Sequence, residues 1–282
     1  ALSYQPDETA ETNSVANLSD TMQLARAVIE ESAGALPGSK VLQEAGSNPG
    51  GRYPKILAGW KEDSERLMIG SRDFTEGYIP CIMKLDMGKL LPTHLRNVCE
   101  KEHHLLSAAR QSGIETPEHW LIKGERKETG SFAHLVVKRF DREGTQRIHT
   151  HTFGGITHQL AIRYGSSYED LLRTTLALTK DHRQVTQQYR RMGFNVVCGN
   201  RDDHVRNHSF IFDKTSGWAL SPAYDLTPTP EKTEHALSVN SKWNSIADAD
   251  LIKVAELFSI EKPRDIIEQS RDAIAGIRDN NR

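Results

Sequence analysis

The sequence predicts an α+β fold in which a small, sheet-rich lobe precedes a mostly helical lobe. Before residue 143, short apolar runs alternate with Gly- and Pro-containing turns, and a single prominent helical pattern interrupts them. After residue 143, apolar residues recur mainly at helical spacing, apart from one hairpin signal. A chain of 282 residues is long enough for both lobes. We therefore predict an N-terminal lobe at residues 1–143 and a C-terminal lobe at residues 144–282.

The elements of the N-terminal lobe follow from local patterns. Helical spacing predicts a helix at Leu18–Ala33, and Gly and Pro residues predict a loop at Gly46–Lys55. A second helix is predicted at Val98–Ser112, before Gly113 and Pro117. Strands are predicted at Lys55–Gly59, Arg66–Gly70, Tyr78–Lys84, Trp120–Lys123 and His134–Lys138.

The C-terminal lobe is predicted to contain four helices and one hairpin. The helices are expected at Tyr168–Asp181, Gln184–Met192, Asp248–Ile260 and Pro263–Ile277. Between the second and third lies a short apolar segment, Phe194–Cys198, followed by a polar cluster. The turn sequence DKTSG then predicts a hairpin of Ser209–Phe212 with Trp218–Leu220.

Composition narrows the range of partners. The chain has 36 basic and 38 acidic residues, for a net charge of −2, so no overall field attracts nucleic acid or an anionic membrane. The three cysteines are far apart and form no C-x-x-C pair, which favours reduced thiols. Neither an apolar run long enough to span a bilayer nor a signal peptide is present in this sequence. We expect a cytoplasmic protein without direct binding to nucleic acid or membrane.

Three oxygen-bearing residues around the predicted hairpin indicate a site for chemistry. Asp202 and Asn207 precede the first strand of the hairpin, and Asp225 follows the second strand. Because a hairpin returns the chain to its starting point, we expect these side chains to converge. Carboxylate and amide oxygens suit Mg²⁺, and this order of residues is typical of kinase catalytic and metal-binding loops. The pattern predicts Asp202 as the catalytic base, with Asn207 and Asp225 as ligands of the metal.

A kinase also needs a nucleotide-binding half. Lys84 ends a predicted strand and could place a fixed positive charge on the α- and β-phosphates of ATP. Such a lysine normally needs a carboxylate on the following helix, where Glu102 is preferred over Glu100. The loop at Gly46–Lys55 could offer backbone N–H groups to phosphates, although it matches neither a Walker motif nor G-x-G-x-x-G.

Together, several segments resemble the HipA family of bacterial serine/threonine kinases, which are toxins of type II toxin–antitoxin pairs. The matching segments lie in the family's order and are GSNPGGRYPK, IMKLD, KEHHLLSAARQSGI, VVKRFDR, FNVVCGNRDDHVRNHSF and WALSPAYDL. The last two are the most specific. The resemblance implies a bilobal protein-kinase-like fold of the HipA type that uses ATP and Mg²⁺.

The resemblance also implies roles for individual residues. Asp202 would be the catalytic base, His204 would support the catalytic loop, and Asn207 and Asp225 would bind the metal. The remaining ATP-binding positions would be Gly50, Gly51, Arg52, Tyr53, Pro54 and Lys55 of the phosphate-covering loop, Lys84, Lys138, Arg139 and Phe140 of the hinge that contacts adenine, and His204 and Tyr224.

The sequence departs from the family's pattern in two places. The family commonly has an autophosphorylated serine seven positions before the loop lysine, whereas Asn48 stands there and Ser47 is the nearest hydroxyl. Full-length relatives also carry an extra N-terminal subdomain, which the residues before the loop are too few to form. The chain thus resembles the shorter toxins of the family, or else a truncated form of a longer one.

For partners, the resemblance implies a protein substrate, an aminoacyl-tRNA synthetase phosphorylated on serine, and a helix-turn-helix antitoxin.

Other functions remain open at this point. The order D-x-H-x-x-N followed by a later Asp also resembles phosphoinositide kinases, so a lipid or small-molecule kinase is an alternative. Histidine pairs such as His204 with His208, or His149 with His151, would suit a metal-dependent hydrolase, although no H-E-x-x-H is present. A kinase-fold binding module with weak catalysis is a third alternative.

Overall fold

The computed structural model describes residues 14–16, 53–64, 66–69, 77–86, 96–126, 130–144, 146–159 and 165–280. Contacts divide the chain into two compact units, one formed by Ala1–His103 with Glu118–Gln146 and the other by His104–Pro117 with Arg147–Arg282. The predicted lobe boundary after residue 143 remains a prediction. The predicted helix at Leu18–Ala33 lies outside the described residues.

The first unit is built on an antiparallel sheet of six described strands. They are β1 (Ser14–Ala16), β2 (Lys55–Lys61), β3 (Arg66–Ile69), β4 (Ile79–Lys84), β5 (His119–Arg126) and β6 (Gly130–Lys138). Their spatial order is β1-β3-β2-β4-β6-β5. The five predicted strands are confirmed, and β1 was not predicted. Short strands β7 (Arg142–Glu143) and β8 (Gln146–Arg147) pair with each other beyond this sheet.

The predicted helix after Lys84 is confirmed as α1 (Val98–Gln111). Its buried side chains recur at intervals of three and four, which are those of one helical face: Cys99, Glu102, Leu105, Leu106, Ala108 and Ala109. The helix ends as predicted at Gly113, which has a left-handed φ of 82°.

The second unit contains five further described helices. They are α2 (Phe153–Ile156), α3 (Tyr168–Thr179), α4 (His182–Cys198), α5 (Asp248–Leu257) and α6 (Pro263–Asn280). The largest fully buried side chains among them are Phe153, Tyr168, Tyr189 and Phe194. The four predicted helices are confirmed. The segment Phe194–Cys198 is the last turn and a half of α4, because the helix continues through Gly193 instead of ending at Met192.

The predicted hairpin is confirmed as β10 (Ser209–Asp213) and β11 (Gly217–Leu220). Its turn is held by Asp213, whose side chain accepts hydrogen bonds from the N–H groups of Thr215 and Ser216 at 2.8 Å each. An unpredicted strand, β9 (His149–Thr152), pairs with the other edge of β10. The polar cluster Gly199–His208 therefore connects α4 to the middle strand of a three-stranded sheet.

None of the helices that the structure describes has both the length and the apolar character needed to cross a membrane.

The residues packed against Gly154 leave no room for a side chain at this position. A Cβ added there would lie 2.6 Å from Cγ2 of Val205 and 2.9 Å from the carbonyl oxygen of Gln159. We expect Gly154→Ala to lower the free energy of unfolding by about 1–3 kcal/mol, the usual cost of overpacking. Urea-induced unfolding followed by tryptophan fluorescence measures this change.

Gly276→Ala is the matched control. Gly276 lies inside α6, and a Cβ there would meet no atom within 4 Å. The higher helix propensity of alanine should stabilise this variant by up to about 1 kcal/mol. Equal unfolding midpoints for wild type and Gly154→Ala would contradict the predicted close packing.

Candidate active site

The cluster that contains Asp202 begins at the capped end of α4. Gly199 takes the left-handed conformation at φ 73°, and its N–H donates to the carbonyl of Asn195. Asn200 then bonds to the same residue twice, through its N–H to the carbonyl at 3.0 Å and through Nδ2 to Oδ1 at 3.1 Å. These bonds fix where the loop at residues 199–208 leaves the helix.

Within this loop, the side chain of Asp202 is 38% exposed and contacts the ammonium group of Lys232. Its backbone is held from both directions: the N–H donates to Oδ1 of Asn200 at 3.3 Å, and the carbonyl accepts from Nδ2 of Asn207 at 2.8 Å. The predicted base is thus a carboxylate that solvent can reach, on a backbone fixed by hydrogen bonds. Lys232 was not predicted.

Asn207 is oriented by the same bond. Since Nδ2 donates to the carbonyl of Asp202, the amide oxygen lies on the other branch of the side chain and is the ligand atom that a cation would use. The N–H of Asn207 donates to the carbonyl of His204 at 2.8 Å, which closes a tight turn. The sequence predicts Asp202 and Asn207 in one loop, and in the structure a hydrogen bond connects the two residues.

The segment before Asp225 runs beside this loop. The hydroxyl of Tyr224 donates to the carbonyl of Arg206 at 2.7 Å and lies 2.5 Å from the hydroxyl of Ser209. Those two residues flank Asn207, so Tyr224 connects the predicted metal-binding segments. Burial raises the pKa of Tyr224 to about 12, so its hydroxyl keeps the proton that it donates at neutral pH.

Asp225 itself has a left-handed backbone, with φ of 57°. This conformation is uncommon for a residue other than Gly and needs support from its surroundings. Part of that support comes from Arg191, whose buried guanidinium donates from Nη2 to the carbonyl of Ser221 at 2.6 Å. Burial lowers the pKa of Arg191 to about 10, which leaves it charged at neutral pH. The backbone of Ala223 is also fixed, by a 2.8 Å bond to the carbonyl of Glu115.

The second aspartate of the cluster, Asp203, is fully buried and was not predicted to matter. Its Oδ2 accepts from the hydroxyl of Tyr168 at 2.7 Å and from Nδ1 of His235 at 2.8 Å, and its Oδ1 accepts from the N–H of Ala236 at 2.8 Å. Tyr168 in turn accepts from Nδ2 of Asn195 in α4 at 2.9 Å. Burial raises the pKa of Tyr168 well above its ordinary value, and the negative charge of Asp203 adds to this, so Tyr168 remains a donor.

Two histidines of the loop differ in their surroundings. Nδ1 of His204 is buried and has no hydrogen-bond partner among the residues that the structure describes. His208 is buried beside Gln188, and burial lowers its pKa to about 4, so it is neutral at physiological pH. Within the described ranges, no three His, Cys, Asp or Glu side chains come together as a metal site.

In the first unit, Lys84, the predicted nucleotide-binding lysine, pairs with Glu102. Nζ of Lys84 lies 2.5 Å from Oε2 of Glu102, and the two side chains are only 9% and 2% exposed. Glu100 instead pairs with Lys123 at 3.2 Å, with 34% and 63% of the side chains exposed.

Lys55, on β2, is the cross-strand neighbour of Lys84 on β4. Neighbours directly opposite in an antiparallel pair project from the same face of the sheet, so two lysines share this face.

The predicted hinge, Lys138–Phe140, follows the end of β6. The N–H of Lys138 donates to the carbonyl of Glu118 at 2.9 Å, and the N–H of Arg139 donates to the carbonyl of Pro80 at 2.8 Å. Adenine contacts from this segment would therefore use other backbone atoms. Asp141 is bound by the guanidinium of Arg139 at 2.7 Å; burial alone would raise its pKa, but this pair and Arg142 lower it below the ordinary value.

Of the predicted phosphate-covering loop, Ser47, Gly50, Gly51 and Arg52 lie outside the described residues. Tyr53 is buried, and its hydroxyl accepts from Sγ of Cys99 at 3.4 Å. The carbonyl of Pro54 accepts from the N–H of Leu85 at 2.9 Å. A role of these residues in binding phosphate remains a prediction.

We expect Asp203→Asn to lower the free energy of unfolding by about 1–3 kcal/mol, because an amide in place of a carboxylate cannot accept from all three buried donors. Urea-induced unfolding measures the loss. Asp272→Asn, on the exposed face of α6, should change stability by less than about 0.5 kcal/mol. Tyr168→Phe should cost less than Asp203→Asn, and a cost equal to that of the control would contradict the proposed network.

A second prediction concerns Glu102→Gln, which would leave the buried ammonium of Lys84 without its countercharge. Breaking a buried pair on one side costs about 3–5 kcal/mol, whereas the exposed pair lost in Glu100→Gln should cost at most about 1 kcal/mol. The double variant Lys84→Met/Glu102→Gln should be more stable than Glu102→Gln alone. Equal unfolding free energies for the two single variants would show that the pair is not buried as described.

Comparison with known proteins shows which family this chain resembles. The family model of the HipA-like C-terminal domain matches residues 47–277. Two curated relatives share the name "putative kinase": one from Haemophilus influenzae is 30% identical over 148 residues, covering 48% of this chain and 43% of that protein. The other, Y4dM of Sinorhizobium fredii, is 29% identical over 149 residues, covering 50% and 36%. The chain thus matches less than half the length of each of these relatives.

The solved structures show the fold. The complex of Shewanella oneidensis HipA with HipB and operator DNA matches with a TM-score of 0.67 at 17% identity, over 97% of this chain and 67% of that one. The predicted α+β, protein-kinase-like fold of the HipA type is therefore confirmed. With a family model that spans most of its length, this chain belongs to the HipA-like C-terminal domain family.

Proposed function

We propose that this protein is a serine/threonine kinase that transfers the γ-phosphoryl group of ATP to a protein hydroxyl. The observation that carries the proposal is the direct connection among three segments. Asn207 bonds to the backbone of Asp202, and Tyr224, next to Asp225, bonds to the residues that flank Asn207. A base and two oxygen ligands on neighbouring, mutually fixed segments suit phosphoryl transfer.

In the proposed reaction, Asp202 acts on the hydroxyl of the substrate. The hydroxyl oxygen forms a bond to the γ-phosphorus while the bond from that phosphorus to the bridging oxygen breaks, and the electron pair leaves with ADP. The proton of the hydroxyl passes to the carboxylate of Asp202. The exposure of this side chain and the fixed backbone on both sides of it support this role.

The donor set around the site fits Mg²⁺. The amide oxygen of Asn207 and the carboxylate of Asp225 are hard oxygen ligands, few enough to leave positions for phosphate oxygens, as Mg²⁺ prefers. When bound, Mg²⁺ neutralises charge on the transferred phosphoryl group. The left-handed backbone of Asp225, held through Ser221 and Tyr224, would fix the direction of its carboxylate.

The nucleotide-binding residues are proposed on the resemblance to the family. Lys84, held by Glu102, would contact the α- and β-phosphates, and Gly50–Lys55 would cover them. Lys138, Arg139 and Phe140 would contact adenine, His204 would support the catalytic loop, and Ser47 is a candidate for autophosphorylation. The buried Lys84–Glu102 pair supports the first of these roles, since it holds the ammonium at a fixed place.

The substrate and partners are proposed at the level of class. We infer a protein substrate, and the family resemblance favours an aminoacyl-tRNA synthetase. The solved HipA structure contains HipB and operator DNA, which supports a helix-turn-helix antitoxin as partner here. Incubation of the chain with γ-labelled ATP, Mg²⁺ and a bacterial extract should label one protein on serine or threonine. Transfer to phosphoinositide vesicles without transfer to any protein would overturn the proposal in favour of a lipid kinase.

The two aspartates should fail in different ways. Asp225→Ala should abolish Mg²⁺-dependent binding of ADP, because a metal ligand is lost. Asp202→Asn should bind ADP like wild type but lose about 100- to 10,000-fold in kcat, the usual contribution of a general base. Isothermal titration calorimetry and the transfer of labelled phosphate measure the two effects.

Asp272→Asn serves again as the exposed control and should match wild type in both assays. Equal ADP affinity in wild type and Asp225→Ala, measured with Mg²⁺ present, would contradict the assignment of the metal ligand. Unchanged turnover in Asp202→Asn would remove the assigned base.

A further inference from the structure

The carboxylate of Asp202 has one charged contact among the described residues. Oδ1 meets the ammonium of Lys232, and the two side chains are each 38% exposed. Lys232 lies seven positions after Asp225 in the sequence, on the segment that leaves the proposed metal ligand. Surface ion pairs between flexible side chains contribute little by themselves, so the backbone around Lys232 decides whether this one has a role.

That backbone is tied to the catalytic loop. Thr229 is buried, its N–H donates to the carbonyl of Gly199 at 3.2 Å, and its hydroxyl accepts from the N–H of Arg201 at 2.8 Å. The N–H of Lys232 then donates to the carbonyl of Thr229 at 3.0 Å, which forms a turn. Lys232 therefore starts from a backbone position fixed relative to residues 199–201, the same residues that lead into Asp202.

The contact also distinguishes the two oxygens of Asp202. Oδ1 is occupied by the ammonium of Lys232, whereas Oδ2 is the atom left to approach a hydroxyl group.

We propose that Lys232 is a positioning residue of the phosphoryl-transfer site, which holds Oδ1 of Asp202 so that Oδ2 receives the hydroxyl proton. This inference rests on the proposed function. In the transfer step the bond from the hydroxyl oxygen to phosphorus forms, the bond to the bridging oxygen breaks with its electrons leaving on ADP, and the proton passes to Oδ2. Lys232 remains an ammonium throughout and acts through Asp202 alone.

The test compares Lys232→Met, Lys232→Arg and the matched control Lys253→Met on the exposed face of α5, all in the full chain. Lys232→Met should lower kcat by about 10- to 100-fold, since slight misplacement of a reacting group costs on this order. The KM for ATP should stay within about twofold, because the proposal gives Lys232 no contact with the nucleotide. Lys232→Arg should retain more kcat than Lys232→Met, because it keeps the charge. Lys253→Met should match wild type.

A double-variant cycle separates action through Asp202 from direct action on phosphate. In the Asp202→Asn background, Lys232→Met should have no further effect on kcat, since the two residues act as a unit. Independent effects of the two changes, a raised KM for ATP with unchanged kcat, or equal kcat for the Met and Arg variants would each overturn the proposal.

A measurement that does not depend on phosphoryl transfer tests the Lys232–Asp202 contact separately from the proposed function. Acylation by acetic anhydride, quantified by peptide mass spectrometry, should be slower at Lys232 in wild type than in Asp202→Asn, whereas Lys253 should react alike in both. Equal reactivity of Lys232 in the two proteins would overturn the pair. If wild type transfers no phosphate while Lys232 is still protected, the proposed function fails and the contact stands.

Discussion

The arrangement of the second unit depends on a buried carboxylate. Asp203 has no exposed surface, and an ionised group in that position is tolerated only when hydrogen bonds replace the water that it has lost. Its two oxygens receive bonds from Tyr168 on α3, from His235 and from the backbone of Ala236. These donors come from sequence positions far apart on either side of the loop. The carboxylate therefore joins α3, the loop at residues 199–208 and the segment after Asp225 in one network.

This inward-facing aspartate lies next to the proposed base. Asp203 is fixed inside the core, whereas the side chain of Asp202 is 38% exposed. The bond from Asn207 to the carbonyl of Asp202 fixes the far side of the same turn. The loop is thus exposed on one face and held by hydrogen bonds on the buried face, an arrangement that suits the catalytic role proposed for it. In the first unit, a buried carboxylate likewise fixes a functional candidate, because Glu102 holds the ammonium of Lys84.

The elements that local patterns specify were predictable. Helical spacing gave α1, and the structure places the preferred partner of Lys84, Glu102, on the buried face of that helix. The hairpin followed from its turn chemistry. Strand β9 was not predictable from its sequence, because His149–Thr152 has no apolar alternation and becomes a strand only by pairing with β10. The apolar run at Phe194–Cys198 was separated from α4 because Gly193 usually weakens a helix, which packing overcomes here.

The residues that support the site could not be predicted from the sequence for a different reason. Tyr168, Lys232 and His235 each lie about thirty or more positions from Asp202 and Asp203, and nothing in their own neighbourhoods marks them. A single sequence reveals residue types and local spacing, whereas these contacts arise only when α3, α4 and the later loops pack together.

The left-handed residue at Asp225 shows the value of such distant support. A non-glycine residue in this conformation costs of order 1 kcal/mol or more, and persists where its surroundings determine it. Here a buried arginine holds Ser221, a backbone bond holds Ala223, and a protonated tyrosine holds the residue just before the strained one. These three bonds hold the segment that leads into Asp225. If Asp225 binds a cation, as we propose, they would fix the direction of its carboxylate before the cation and a triphosphate arrive.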